Sequence, residues 1–286
     1  MTIINFLLDR MRQLLPAFTT KLPHVTTYTR ELPISLERMY ENAIDGEHLP
    51  WLHSSSFSKL EILDQGKWGW RARGNLQPYS FMNSMVLELR LDRDKNRWIT
   101  RTLSGLGKGT EVWTHAIPID ENRIKVIVDV YVPKLPRLLK PLYAQQYLET
   151  YAHLYDEDLW MMATRQNELN RVKAGKSLVK TEYVNLGTLN ELKALLPKAF
   201  DFNGHPFRLI NLNDTLVAHS ASCPHMLGPL NESNVALGTV SCPWHGYEFD
   251  IKTRNCISGQ KCKLAPAPII QIEGEHQEVI ARIAYS

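Results

Sequence analysis

The chain has 286 residues, a length that accommodates about two domains. Hydrophobic residues make up 44% and charged residues 22%, ordinary proportions for a buried core, which excludes wholesale disorder. A formal net charge of +3 is too small and dispersed to specify a nucleic-acid partner, and four cysteines are too few for a disulfide scaffold.

Met1–Phe18 has an apolar stretch broken by Asp9, Arg10 and Arg12 and no small-residue cleavage site, so it does not read as a secretory signal. Phe6, Leu7, Arg10, Leu14 and Leu15 suit a short amphipathic helix, docked on its own domain or lying on a membrane surface; the segment is taken as 1–23. Residues 24–33 predict a strand ending at Pro33, and Leu36, Met39, Tyr40, Ala43 and Ile44 fall at helical spacing. Strands are expected at Trp68–Arg73, Met85–Leu91, Arg97–Leu103, Glu111–Ile119 and Ile124–Val132, separated by Gly and Asp/Asn turns. A run of prolines, basic residues and leucines at 133–141 reads as a connecting loop or an interfacial segment. Residues 144–170 predict a long helix, and 173–180 a polar linker. From Thr181 the pattern changes to short strands and loops. The longest apolar run, Leu159–Ala163, falls far short of the ~20 residues of a membrane span. The expectation is an α+β domain over 24–172 and a small all-β domain over 181–286, in a cytoplasmic protein.

The densest chemical signal lies near the C-terminus. Residues 223–228 read Cys-Pro-His-Met-Leu-Gly, and residues 242–250 read Cys-Pro-Trp-His-Gly-Tyr-Glu-Phe-Asp. Each loop carries one cysteine and one histidine, Cys223 with His225 and Cys242 with His245. Zinc fingers usually pair two cysteines and then two histidines, so this arrangement suits a binuclear iron cluster better than zinc. One iron would take the two thiolates and the other the two imidazoles, the ligation of a [2Fe–2S] centre of raised potential. Cys256 and Cys262 are left over and read as free thiols.

A second cluster lies in the first domain. Residues 41–53, Glu-Asn-Ala-Ile-Asp-Gly-Glu-His-Leu-Pro-Trp-Leu-His, contain His48 and His53. Two histidines and one carboxylate on one face are the usual holders of O₂-activating Fe(II). Residues five apart diverge by about 140° on an ideal helix. Convergence therefore requires a break, expected at Leu49–Pro50 because proline disfavours helix there. Taken alone, the spacing also suits two surface or capping histidines. The late helix offers Asp156, Glu157 and Asp158, which equally suit a solvated acidic turn.

Together these segments resemble the Rieske non-haem iron oxygenases, whose two cluster boxes read much like CPH-x-L-G-x-L and CPWHGYEFD, and whose iron box reads much like EN-x-x-D-x-x-H-x-x-x-x-H. The boxes lack the extra cysteine pair of the respiratory type, so the resemblance is to the oxygenase or ferredoxin type. It implies a START-like helix-grip catalytic domain followed by a Rieske domain, in the reverse of the family's usual order. It further implies Cys223, His225, Cys242 and His245 as cluster ligands, His48, His53 and Asp158 as ligands of a mononuclear Fe(II), and Asp45 as a bridging aspartate between a cluster histidine, preferably His245, and an iron histidine. Trp51, Phe57, Trp68, Trp70, Phe81, Trp113, Met161 and Met162 are candidate cavity or core residues. The implied activity is hydroxylation or dealkylation of a small apolar, cyclic substrate with O₂, in a homotrimer. Electrons would come from a separate NAD(P)H-dependent reductase, directly or through a ferredoxin, since no dinucleotide-binding glycine motif is visible. The rival expectation is an electron carrier fused to a lipid- or pigment-binding helix-grip module.

Overall fold

Alternation of apolar and polar residues builds the first unit of the chain, Met1–Met162. The computed structural model describes residues 20–77, 84–177 and 179–283, so most of the 1–23 segment and Phe81 lie outside the described residues. Strand β1 (His24–Leu32) is followed by helix α1 (Leu36–Ile44), a 3₁₀ turn (Gly46–His48) and the one-turn helix α2 (Leu49–Leu52). Six strands follow: β2 (Phe57–Gly66), β3 (Gly69–Leu76), β4 (Met85–Asp92), β5 (Arg97–Ser104), β6 (Glu111–Asp120) and β7 (Arg123–Tyr131). They form one antiparallel sheet in the order β1-β7-β6-β5-β4-β3-β2. Strand β2 has no counterpart among the strands expected from the sequence. Its polar residues Ser58, Lys59, Glu61, Asp64 and Gln65 weaken the β signal, and pairing with β3 supplies the missing order.

Strand β7 shows why the sheet has a core face. Ile124, Val126, Val128 and Val130 alternate along it and are at most 1% exposed. Each such burial contributes about 1.5–3 kcal/mol before conformational entropy is counted. Helix α3 (Lys140–Gly175) packs on this face through Tyr155 and Met162, which join the sheet residues in one apolar cluster. Tyr155, Asp158 and Met162 are spaced three and four apart and therefore share a stripe of the helix. One long helix held by an antiparallel sheet is the helix-grip arrangement.

The second unit, Ala163–Ser286, begins inside α3, upstream of the polar stretch at 173–180. Its described residues form three small antiparallel sheets. Strands β9 (Lys198–Phe202), β10 (His205–Leu212) and β11 (Thr215–Ser220) form one; β12 (Val235–Ala236), β13 (Thr239–Ser241) and β14 (Glu248–Asp250) form another. The third combines β8 (Tyr183–Thr188) with β15 (Ile269–Glu273) and β16 (Glu278–Arg282). One short helix, α4 (Leu189–Leu195), interrupts the strands; Thr188 and Glu191 cap it reciprocally, and Leu192 anchors it in a core with Leu186, Leu209, Val279 and Ala281. No described helix is long and apolar enough to cross a membrane.

Candidate functional site

Helix α1 starts at Ser35, whose side chain accepts a hydrogen bond from the Arg38 N–H, and ends at Asp45, where φ −87° and ψ 83° leave the helical region. The break thus falls at Asp45 and not at Leu49, which remains helical at φ −51° and ψ −48°. Pro50 sits in the first turn of α2, where its missing N–H costs nothing. The 3₁₀ turn then carries His48, and His53 caps α2. This change of winding turns the two histidines toward each other, with ring centroids 5.1 Å apart. Two contacts hold the bend. The Trp70 indole N–H donates to the Ala43 carbonyl at 3.0 Å, and Gly46 lies so close to β2 and β3 that a Cβ there would meet Ile62 at 3.1 Å and Trp70 at 3.3 Å.

The acid comes from α3. His48, His53 and Asp158 each offer one ligand atom, and these atoms all lie within 4.8 Å of one another. His53 Nε2 is 3.1 Å and His48 Nε2 3.5 Å from Asp158 Oδ1, which also accepts from Asn42 Nδ2 at 2.7 Å. The opposite ring nitrogens face other carboxylates: His53 Nδ1 meets Glu157 Oε2 at 2.7 Å, and His48 Nδ1 lies 3.7 Å from Asp45 Oδ2. Burial alone pushes the Asp158 carboxyl up, but the neighbouring His48 and His53 imidazoles outweigh it and hold it well below the usual carboxylate range. Burial pushes the His48 imidazole down; the Asp158 and Asp45 carboxylates beside it outweigh that and lift it to about 10.

The three neighbouring acids have three different surroundings. Asp156 forms a surface ion pair with Arg30 at 2.6 Å, Glu157 backs His53, and Asp158 faces both histidines. Two imidazoles presenting Nε2 and one carboxylate, each imidazole set against a second acid, form a donor set that fits a mononuclear Fe(II). Glu157 and Asn42 are the site residues whose roles the sequence did not reveal. Glu157 is one residue from the candidate ligand in the chain, and only the turn of the helix distinguishes the two.

A cavity of about 140 Å³ adjoins this cluster. Its apolar wall includes Met39, Phe57, Trp70, Leu89, Trp98 and Tyr155. Burial raises the Tyr151 and Tyr155 phenols, which therefore stay neutral. Of the residues expected to line a cavity, Phe57 and Trp70 do so. Trp51 instead is 54% exposed, because α2 turns it away from the sheet, while Trp68, Trp113, Met161 and Met162 are buried in packing.

The second cluster lies on two loops of the second unit, which are built alike. In one, the Cys223 N–H donates to Gly228 O and Leu227 N–H to Cys223 O; in the other, Cys242 N–H donates to Tyr247 O and Gly246 N–H to Cys242 O. The offsets of five and four residues are the same in both, and so is the left-handed residue, Leu227 at φ 62° and Gly246 at φ 63°. His225 and His245 meet edge to face at 4.6 Å, and Tyr247 stacks on His225 at 4.7 Å. Cys223, Cys242 and His245 are buried, at 1%, 1% and 4% exposure, whereas His225 is exposed. The hydrogen bond from Cys223 holds the Cys242 thiol below its ordinary range against burial, helped by His245; the same bond and burial keep the proton on Cys223. A Cβ on Gly228 would stand 2.7 Å from Cys242 Sγ, so this glycine keeps the space beside the sulfur open. Paired thiols, paired imidazoles and that open cradle fit a [2Fe–2S] cluster. Cys256 and Cys262 are half-buried free thiols.

Residues 182–268 match the family model described as Rieske [2Fe–2S] domain. The C-terminal part of this chain is a Rieske domain. Such a domain implies a [2Fe–2S] cluster, a one-electron centre. No curated protein matches the sequence. Among solved structures, norcoclaurine synthase from Thalictrum flavum, in complex with dopamine and hydroxybenzaldehyde, is 18% identical with a TM-score of 0.40, covering 52% of this chain and 95% of that one. A START superfamily protein from Mycobacterium smegmatis is 20% identical with a TM-score of 0.38, covering 47% and 94%. The Zhui aromatase/cyclase from Streptomyces sp. R1128 is 16% identical with a TM-score of 0.41, covering 50% and 95%.

Proposed function

We propose that this protein is the terminal oxygenase component of a Rieske-type system. The observation that carries this reading is the convergence of His48, His53 and Asp158 beside an apolar cavity, in a chain that also contains a Rieske domain. Cys223, His225, Cys242 and His245 hold the cluster; His48, His53 and Asp158 hold Fe(II). When bound, the cluster supplies one-electron transfer and the iron supplies O₂ activation for hydroxylation or dealkylation. Asp45 and Glu157 fix the ring orientations of His48 and His53 so that both Nε2 atoms face Asp158. The apolar wall binds substrate and excludes water. A dry cavity of about 150 Å³ accommodates one benzene ring, so the substrate is a small apolar molecule of about one ring.

The electrons come from a separate NAD(P)H-dependent reductase, directly or through a ferredoxin. In a homotrimer, Asp45 links His48 to a cluster histidine of the adjacent copy. That histidine is His225 of the partner subunit and not His245, because His245 is buried in its loop.

Iron and acid-labile sulfide measured on anaerobically purified, cluster-replete protein test the reading. Three irons per two sulfides are expected, falling to two per two in Asp158→Asn. Two per two in the wild type, unchanged after adding Fe(II), would leave the electron-carrier reading in its place.

A further inference from the structure

The last turns of α3 bear directly on the first cluster box. Arg165 Nη1 donates to the carbonyl of Met226 at 3.0 Å, and Met226 lies between His225 and the left-handed Leu227. One turn on, Glu168 Oε2 accepts from the Ser222 hydroxyl at 2.6 Å, and Ser222 immediately precedes Cys223. Arg171 Nη2 donates to the same hydroxyl at 3.3 Å and also forms an ion pair with Glu168. A single helical face thus grips the box on both sides of its two ligands.

From these contacts we infer that Arg165 and Glu168 are positioning residues for the Rieske cluster, and that their charges set its reduction potential in opposite directions. The positional part follows from strain. Leu227 holds a left-handed conformation, φ 62°, that a residue with a side chain rarely adopts. The Arg165 bond fixes the peptide immediately before it. The electrostatic part follows from proximity. Chain geometry puts the guanidinium within roughly 10 Å of the His225 Cα, and partly buried charges are only weakly screened. Reduction adds an electron to the cluster. A cation nearby favours the reduced state and an anion disfavours it.

The test is a redox titration of the full-length, cluster-loaded protein, followed by electron paramagnetic resonance. Arg165→Met removes the donor and the charge at similar length. It is expected to shift the reduction equilibrium about tenfold toward the oxidised form, about 59 mV downward for one electron. Arg165→Lys keeps the charge and is expected to recover most of that shift. Glu168→Gln should move the potential upward. Recovery in Arg165→Lys together with opposite signs for Arg165→Met and Glu168→Gln separates a charge effect from a purely structural loosening, which would move both variants the same way. An unchanged potential in Arg165→Met at full cluster content, or shifts of the same sign in Arg165→Met and Glu168→Gln, would overturn the assignment. Should Arg165→Met fail to retain its cluster, Glu168→Gln decides alone: a raised potential supports the inference and an unmoved one overturns it.

Discussion

The residues Asp156, Glu157 and Asp158 show how a helix separates chemically similar side chains. Successive residues rotate by about 100°, so three adjacent acids point to solvent, to the back of His53 and into the site. Glu157 touches no candidate iron position of its own, yet it fixes the His53 ring through a 2.7 Å contact. Its replacement by Gln is expected to weaken Fe(II) or Co(II) binding 10–100-fold, the usual effect of losing an acid behind a ligand histidine. Direct metal titration would show this, with the cluster absorption unchanged. Asp156→Asn serves as the neighbouring control. Its pair with Arg30 is exposed, and such pairs contribute about 0–1 kcal/mol and nothing to the metal. The candidate ligands were visible in the sequence as residue types at suggestive spacing. Residue types alone left the three acids open and only the family resemblance pointed to Asp158, because the choice depends on the rotational phase of α3 against the sheet.

Elements carry a second layer of information, and here the sequence was partly misleading. Pro50 invited a break at the wrong residue, since proline in a first turn is compatible with helix and the bend was set upstream, where Trp70 and Gly46 meet the end of α1. Strand β2 escaped notice because its polar alternation becomes a strand only when β3 pairs with it. Strand β11 contributes a pH dependence. His219 is 2% exposed, its Nδ1 donates to the Ser220 carbonyl at 2.8 Å, and burial pushes its pKa below the ordinary 6.5. The unfolded chain then takes up the proton first. Stability from this residue is complete above about pH 6.5 and is lost as pH falls below it. Thermal melts of the full chain between pH 7.5 and 5.5 are expected to show a smaller acid-induced drop in Tm for His219→Gln than for the wild type.

At the scale of the molecule, the Rieske domain was legible because a C-P-H loop and a C-P-W-H loop, one cysteine and one histidine each, have few other uses. An α+β domain was legible from the run of strands followed by a long helix, and the helix-grip topology itself came from the family resemblance. What the sequence concealed was where the compact units divide, since α3 continues from one into the other without a break in composition. The proposed exchange of electrons between copies has a direct test. Co-expression of Cys242→Ala with His53→Ala should yield mixed trimers in which an intact cluster stands next to an intact iron site, restoring part of the reductase-driven O₂ uptake that either variant lacks alone. No recovery in verified mixed trimers would show that transfer stays within one chain. The two cluster loops, alike in backbone, differ in that only one shows its histidine to solvent. If the proposed electron route holds, His225 is the cluster edge open to partners. Reductase and iron site would then share that edge and could not dock on it at once, so under the proposal the protein works as a turnstile whose pace is set by how fast partners come and go.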